Sequence, residues 1–397
     1  MSMRNFKILM LAPTPYFEDC GSHVRVYEEA KALTRMGHSV RIVSYPGGRN
    51  MPGIDTVRIR KPPKCDSVPL GPSWYKPYMD IFMSFMAKKV AKSFKPHLIH
   101  AHMHSGAKIG GRLKKKFRIP LLFDYHGSMT AEMFDHGFIK DEGVLSNFFS
   151  AQERKINNGP ADFIITRSTP MVQDLVERWG VNPGIIASVQ DGVDQKHFRP
   201  YNRDEMRSKL RLPVKLPLVV FLGSLNQNQG IDTLFSAIVQ FKSQSSPIRF
   251  LIMGYPEQKY RSRAVDLGIE KMIIFSGKVD YSKAPFFLSA GDIAVSTTCL
   301  PLEPNSKILP YMACGLPTIV FDTQVNREFM GDAGIYASYD NSLELAEKIS
   351  WLMSNKDERS RLGKLAFERA VQTHSWDIRA RQIDEIYRTK LSKRVDF

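Results

Sequence analysis

The chain has 397 residues, a formal net charge of +16 and a hydrophobic fraction of 43%. That is enough apolar material for two buried cores, and no apolar run approaches the roughly 20 residues that span a bilayer. The four cysteines, Cys20, Cys65, Cys299 and Cys314, are too widely spaced for a zinc or redox motif, which fits a reducing compartment and buried, non-catalytic thiols.

Strand-like and helix-like segments alternate along the chain. The first apolar run, "FKILMLAP" (6–13), is short and reads as a buried strand rather than a secretory leader, so a cytoplasmic location is expected. "GSHVRVYEEAKALTRMGHSV" (21–40) then carries apolar residues at helical spacing up to a stop at Gly37. Strands follow at "VRIVSY" (40–45), "HLIHAH" (97–102), "PLLFDYH" (120–126), "FIITRS" (163–168) and "IIASVQ" (185–190), with helical segments between them.

The pattern restarts after "DGVDQKHFRP" (191–200). It gives strands at "LVVFLGS" (218–224), "RFLIMG" (249–254), "MIIFSG" (272–277), "DIAVST" (292–297), "PTIVFD" (317–322) and "GIYAS" (334–338), and helices such as "IDTLFSAIVQFK" and "SLELAEKISWLM". Alternation of this kind makes an open parallel sheet covered on both faces. The expected fold is therefore α/β, with two doubly wound Rossmann-like domains over residues 1–197 and 198–374 and a last helix over 375–397. Two such domains are expected to face a cleft. Ligands then bind beyond the carboxyl ends of the strands.

Residues just after those strands are the candidates. Gly21 follows the first strand, where a glycine lets a phosphate or sugar approach the backbone; an ordinary loop would look the same. His126 ends the strand "FDYHG" and can meet a sugar hydroxyl or accept a proton. "HAHMH" (100–104) invites a metal reading, but strand alternation separates neighbouring side chains and no acid lies nearby at ligand spacing, so a structural role is expected. "FLGSLNQNQGIDTL" opens the second domain with a loop of amides. "EPNSKILP" (303–310) offers Glu303, then Asn305 and Ser306 as helix caps, then Lys307, a set that suits a diphosphate. Pro310 is expected to lie one turn inside that helix and to kink it, tilting Lys307 and its neighbouring amides toward the anion.

These segments together resemble the retaining, nucleotide-sugar-dependent glycosyltransferases of family 4, which have the GT-B fold. The similarity runs through "GSHVRVYEEAKALTRMGHSV", "FDYHG", "DGVDQKHFRP", "GSLNQNQGIDTL", "YMACGLPTIV" and the closing "HSW" helix. The resemblance implies a nucleoside-diphosphate sugar bound by the C-terminal domain, an acceptor on the N-terminal one, and a last helix that returns to the N-terminal domain. It also implies retained anomeric configuration and no need for a metal or cofactor. Transferred position by position, it places Gly21 in the first loop, His126 near the donor sugar and Glu303 on that sugar's hydroxyls. The base lies along the backbone of Lys278 and Val279. Where the family commonly has an arginine and a lysine for the diphosphate, this chain has Ser224 and Gln229. Where it has a ribose-binding glutamate, this chain has Pro310. Lys307, with Asn305 and Ser306, is then the expected substitute cation and amide donor.

The expected activity is transfer of a hexosyl unit to a cell-envelope glycan or glycolipid acceptor. A nucleotide-sugar epimerase and a catalytically degenerate binding protein of the same fold are the alternatives. Residues 57–118 hold 15 Lys and Arg against only Asp66 and Asp80. In "YMDIFMSFMAKKVAKSFK" and "KIGGRLKKKFR" the cations recur at helical spacing beside aromatics, so peripheral binding to an anionic membrane through residues 76–118 is expected, with no specific nucleic acid.

Overall fold

The computed structural model describes residues 5–61, 73, 75–140, 143–243, 247–300 and 302–391. Cys65, Asp66 and the last basic residues, Lys393 and Arg394, lie outside them. The chain divides into two compact units, residues 1–191 with 376–397 and residues 192–375.

Unit 1 contains β1 (Lys7–Pro15), α1 (Gly21–Arg35), β2 (Ser39–Tyr45), β3 (Asp55–Arg58), α2 (Lys76–Phe94), β4 (Leu98–His102), α3 (Met103–Phe117), β5 (Leu121–Asp124), α4 (Met129–Asp135), α5 (Val144–Asn157), β6 (Phe163–Thr166), α6 (Thr169–Glu177) and β7 (Ile186–Ser188). Its sheet is parallel in the order β3-β2-β1-β4-β5-β6-β7. The order reverses between β1 and β4. Strand β1 is almost wholly buried, which is why it reads as a continuous apolar run. The strand missing from the sequence reading is β3. It lies at the sheet edge, is half-exposed and has the sequence "DTVR", so it lacks the apolar run that marks its neighbours.

Unit 2 contains α7 (Arg203–Lys209), β8 (Leu218–Leu222), α8 (Ile231–Ser243), β9 (Arg249–Met253), α9 (Gln258–Asp266), β10 (Ile273–Gly277), α10 (Ala284–Ser289), β11 (Ile293–Ser296), α11 (Ile308–Ala313), β12 (Thr318–Phe321), α12 (Gln324–Met330), β13 (Gly334–Ala337), α13 (Ser342–Ser354) and α14 (Lys356–Thr373). Its parallel sheet runs β10-β9-β8-β11-β12-β13 and reverses between β8 and β11. Core clusters cover both faces. One includes Phe221, Phe235 and Ile252, and the other Val220, Leu251 and Tyr311. Residues 192–197 belong to this unit because Val193 bridges Ser375 and Gln195 caps the end of α14 through the carbonyls of Ala370 and Val371.

The last helix, α15 (Trp376–Ile386), continues through Tyr387–Leu391 and packs on α1 of unit 1. Trp376, Ile383 and Tyr387 are buried. Polar contacts fix the register: Tyr387 Oη lies 2.7 Å from His100 Nδ1, and Asp384 Oδ1 lies 3.2 Å from His38 Nε2.

Candidate functional site

In unit 2 the loops after β8 and β11 leave the sheet where its strand order reverses, the position at which open α/β sheets bind ligands. The two loops are tied together. Thr297 Oγ1 donates to the Gln229 carbonyl at 2.9 Å, and the Cys299 amide donates to the Asn228 carbonyl at 2.9 Å. Gly230 has φ +61°, and a Cβ there would lie 1.8 Å from the Thr297 carbonyl oxygen, so only glycine lets the loops close.

Lys307 reaches across this junction. Its Nζ contacts Gln229 Oε1 and stands 4.5 Å from the centre of the Phe221 ring. Gly223 makes room for it: a Cβ there would lie 2.9 Å from Nζ. No carboxylate pairs with Lys307 among the described residues, and burial pushes its pKa down to about 7, against a weak upward pull from Cys299. The structure thus joins two expected site residues, Gln229 and Lys307. Phe221 and Gly223, which the sequence reading did not single out, complete their surroundings.

Two details of "EPNSKILP" differ from expectation. The helix starts at Ile308, with Lys307 at the cap position and no side-chain cap. Asn305 is buried and donates from Nδ2 to Ser296 Oγ at 2.5 Å, so its amide group holds the loop instead of capping the helix. Pro310 is therefore the third residue of α11. The amides of a first turn have no partner within the helix, so proline removes nothing there and no kink follows. The next residue, Tyr311, accepts a hydrogen bond from the Leu222 amide at 2.7 Å and fixes the end of β8.

Glu303 and Ser306 are half-buried in the loop before α11, while Ser224 is exposed just after β8. Lys278 is exposed after β10, with Nζ 5.3 Å from the Tyr255 ring centre, and Val279 packs partly on the core.

In unit 1, Gly21 is the first residue of the 15-residue helix α1. It is exposed, and a Cβ there would meet nothing within 4 Å. His126 follows β5. Its Nε2 lies 3.2 Å from His102 Nδ1 and 3.5 Å from Asp124 Oδ2, while its Nδ1 is shielded and makes no hydrogen bond. Burial pushes its pKa down to about 4 despite Asp124, so the ring is neutral at pH 7.

Behind His126 lies a buried polar cluster whose acids the sequence reading did not find. His100 and His102 are two residues apart and share a sheet face, with rings stacked at 4.7 Å. Their acidic partners come from distant segments: Glu29 Oε1 is 3.2 Å from His100 Nε2, and Asp124 Oδ2 is 3.0 Å from His102 Nδ1. Ligand-type atoms of Glu29, His100, His102 and Asp124 lie within 4.8 Å of one another. A cation already serves this cluster. Arg25 donates to both Asp124 oxygens, at 2.7 and 3.0 Å, and to Asp191. Burial would raise the pKa of Asp124, but Arg25 and then His126 outweigh it and hold it well below the usual carboxylate range. Burial followed by Asp124 pushes Glu29 well above that range. Asp191 is the second anion of Arg25.

The basic face is built from α2 and α3. The solvent side of α2 presents Tyr78, Ile81, Phe82 and Phe85, then Lys89 and Lys92 one to two turns on. On α3, contact with Lys88 holds the Lys116 ammonium below its ordinary value. Lys114, by contrast, is committed to Asp162 at 2.7 Å.

Two doubly wound Rossmann-like domains with a final helix returned to the first define the GT-B class of glycosyltransferases. Residues 20–197 match the family described as Glycosyltransferase Family 4, and residues 202–369 match Glycosyl transferases group 1. The chain belongs to the family 4 glycosyltransferases. It is similar to the D-inositol 3-phosphate glycosyltransferase of Corynebacterium glutamicum, with 25% identity over 73% of this chain and 71% of that one. In fold it is similar to sucrose-phosphate synthase from Thermosynechococcus elongatus (TM-score 0.81, 20% identity, 97% and 98% of the two chains). It is likewise similar to Anabaena HepE solved in complex with UDP-glucose (TM-score 0.77, 16% identity, 97% and 100%). Among the described residues no helix is long and apolar enough to cross a membrane.

Proposed function

We propose that this glycosyltransferase moves a hexosyl unit from a nucleoside-diphosphate sugar to a cell-envelope glycan or glycolipid, with retention of configuration. The observation that carries the donor assignment is Lys307, an ammonium with no carboxylate partner among the described residues, at the reversal point of the unit 2 sheet. A group held so is completed by an anion. Donor diphosphate meets Lys307, Gln229, Ser224 and the amides before α8 and α11, including that of Ser306, while the backbone at Lys278 and Val279 lies along the base. Glu303 holds sugar hydroxyls. In unit 1 the first-turn amides of α1 at Gly21 favour negative charge, and the neutral His126 ring packs against the donor sugar. Catalysis is mainly stabilisation of the departing diphosphate by this fixed charge and these amides. No metal or cofactor is assigned a role.

The aromatic and lysine face of α2 and α3 is proposed to rest on an anionic membrane surface, which suits an acceptor carried there.

A thermal-shift screen over UDP, GDP, ADP and their sugars identifies the donor, and proton NMR of the product reads its anomeric form. Lys307→Ala is expected to lower turnover about 10- to 100-fold, the loss of one charge-assisted contact that tightens in the transition state. Binding and turnover equal to the parent would remove Lys307 from the site. An inverted product would overturn retention.

A further inference from the structure

Four arginines are buried among the described residues: Arg25, Arg167, Arg207 and Arg379. Three of them are well satisfied. Arg25 donates to Asp124 and Asp191, and Arg207 to Asp292 and the carbonyls of Ala290, Pro213, Val214 and Leu216. Arg379 donates to the Asp191 carbonyl, Gln190 and Gln382. Arg167 differs. It is 8% exposed, and its Nε is shielded and has no partner. Its Nη1 stands 3.8 Å from Asp191 Oδ2, an ion-pair distance that is too long for a hydrogen bond. Asp191 is not free to close on it, because its other oxygen is held by Arg25.

This open guanidinium lies at the carboxyl end of the unit 1 sheet. Asp124 on β5 pairs with Ile165 on β6, and His126 and Arg167 each stand two residues beyond that pair. Besides burial, the charge of Arg167 is one of the influences that hold the His126 pKa down, so the two side chains are neighbours. A planar fork with unused donors, sunk where water is scarce, is completed by an oxyanion that takes two parallel hydrogen bonds. The donor's own diphosphate is assigned above to Lys307 and Gln229 in unit 2. The acceptor hydroxyl has to reach the sugar against which His126 packs, which brings an anionic group of the acceptor to Arg167.

We propose that Arg167 holds an oxyanion carried by the acceptor, a phosphate or a carboxylate close to the hydroxyl that is glycosylated. It rests on the transferase reading given above and narrows the acceptor to an anionic one.

The test uses the full chain with its donor site filled by UDP, or by whichever nucleoside diphosphate binds, at constant ionic strength. Glucose 6-phosphate and glucuronate are titrated by calorimetry, with glucose as the uncharged control. The parent is expected to bind one of the two anions about 10- to 100-fold more tightly than glucose, the range of a charge-assisted contact. The anion preferred tells a phosphate-bearing acceptor from a carboxylate-bearing one. Arg167→Gln is expected to abolish the preference and to keep the nucleoside-diphosphate affinity of the parent. Arg167→Lys retains the charge beside Asp191 without the fork, and is expected to weaken the preference several-fold; it carries the test if Arg167→Gln does not fold. A parent that binds no nucleoside diphosphate overturns the transferase reading and this site with it. A parent that binds one but prefers neither anion to glucose, or variants that keep the full preference, overturn the anion site alone. Weaker nucleoside-diphosphate binding in the variants with the anion preference intact makes Arg167 a donor residue and overturns the acceptor assignment.

Discussion

The departures of this chain from its family's motif converge on one side chain. Ser224, Gln229 and Pro310 each remove a charge that the motif supplies, and the sequence alone leaves open whether the site survives. In the fold Gly223 and Phe221 shape a slot, and Lys307 fills it. What sequence reasoning missed is that slot, because the glycine and the aromatic matter only once the loops after β8 and β11 meet. The pKa of about 7 has two measurable consequences. An ammonium lowered in the folded state binds fewer protons folded than unfolded between pH 7 and its ordinary value near 10.4, so its burial penalises the fold fully below pH 7 and not at all above about pH 11. Lys307→Met is therefore expected to raise the melting temperature at pH 6 more than at pH 10. An equal shift at both would mean that Lys307 is not desolvated. Binding of a nucleoside diphosphate should recharge the amine, so at pH 8 calorimetry in buffers of different ionisation enthalpy is expected to register proton uptake that Lys307→Met loses.

At the scale of elements the apolar runs made twelve of the thirteen strands among the described residues legible. The edge strand β3 escaped because half-exposed strands carry no such run. Helix starts were less legible. "NS" before a lysine has the form of a cap, yet Asn305 is drawn into the core by Ser296, and α11 begins three residues after it. The position of Pro310 follows from that shift. Pro310→Ala is expected to change stability by less than about 1 kcal/mol, whereas a proline in a helix interior costs about 3 kcal/mol. A denaturant titration separates the two, and a gain of 3 kcal/mol would restore the kink. The acidic partners of the histidines in "HAHMH" were missed for a related reason. Their acids, Glu29 and Asp124, are far away in sequence and reach them only through the order of strands β1, β4 and β5. Tyr387→Phe removes the hydroxyl facing His100 and leaves a buried ring nitrogen unsatisfied. A loss of about 1–3 kcal/mol in unit 1 is expected, measured by hydrogen exchange of β4.

For the whole molecule, unit 2 is an insertion: the chain leaves unit 1 after Asp191 and returns at Trp376. The sequence disclosed the two sheets and the last helix, whose Trp376, Ile383 and Tyr387 are spaced for burial. It did not disclose the polar lock. Tyr387 meets His100, Asp384 meets His38, and Arg379 donates to the Asp191 carbonyl and to Gln190. Each joins the tail to a segment of unit 1, and none joins it to unit 2. The exit and return strands are instead clasped within unit 2 by the Val193–Ser375 bridge and the Val193 amide donating to the His374 carbonyl at 2.7 Å. Ending the chain after Ser375 therefore has an unequal effect. Unit 1 loses the buried Trp376, Ile383 and Tyr387, each about 1.5–3 kcal/mol of apolar burial, and leaves His38 and His100 facing water or a void. That sum rivals the stability of a whole domain. Unit 2 loses nothing from its sheet or its cores. Hydrogen exchange on the shortened chain is expected to show β1, β4 and β5 unprotected while β8, β11 and β12 keep the protection they have in the parent. Loss of protection in both sheets would mean that the two units fold as one, and retention in both would mean that the tail is only a cover.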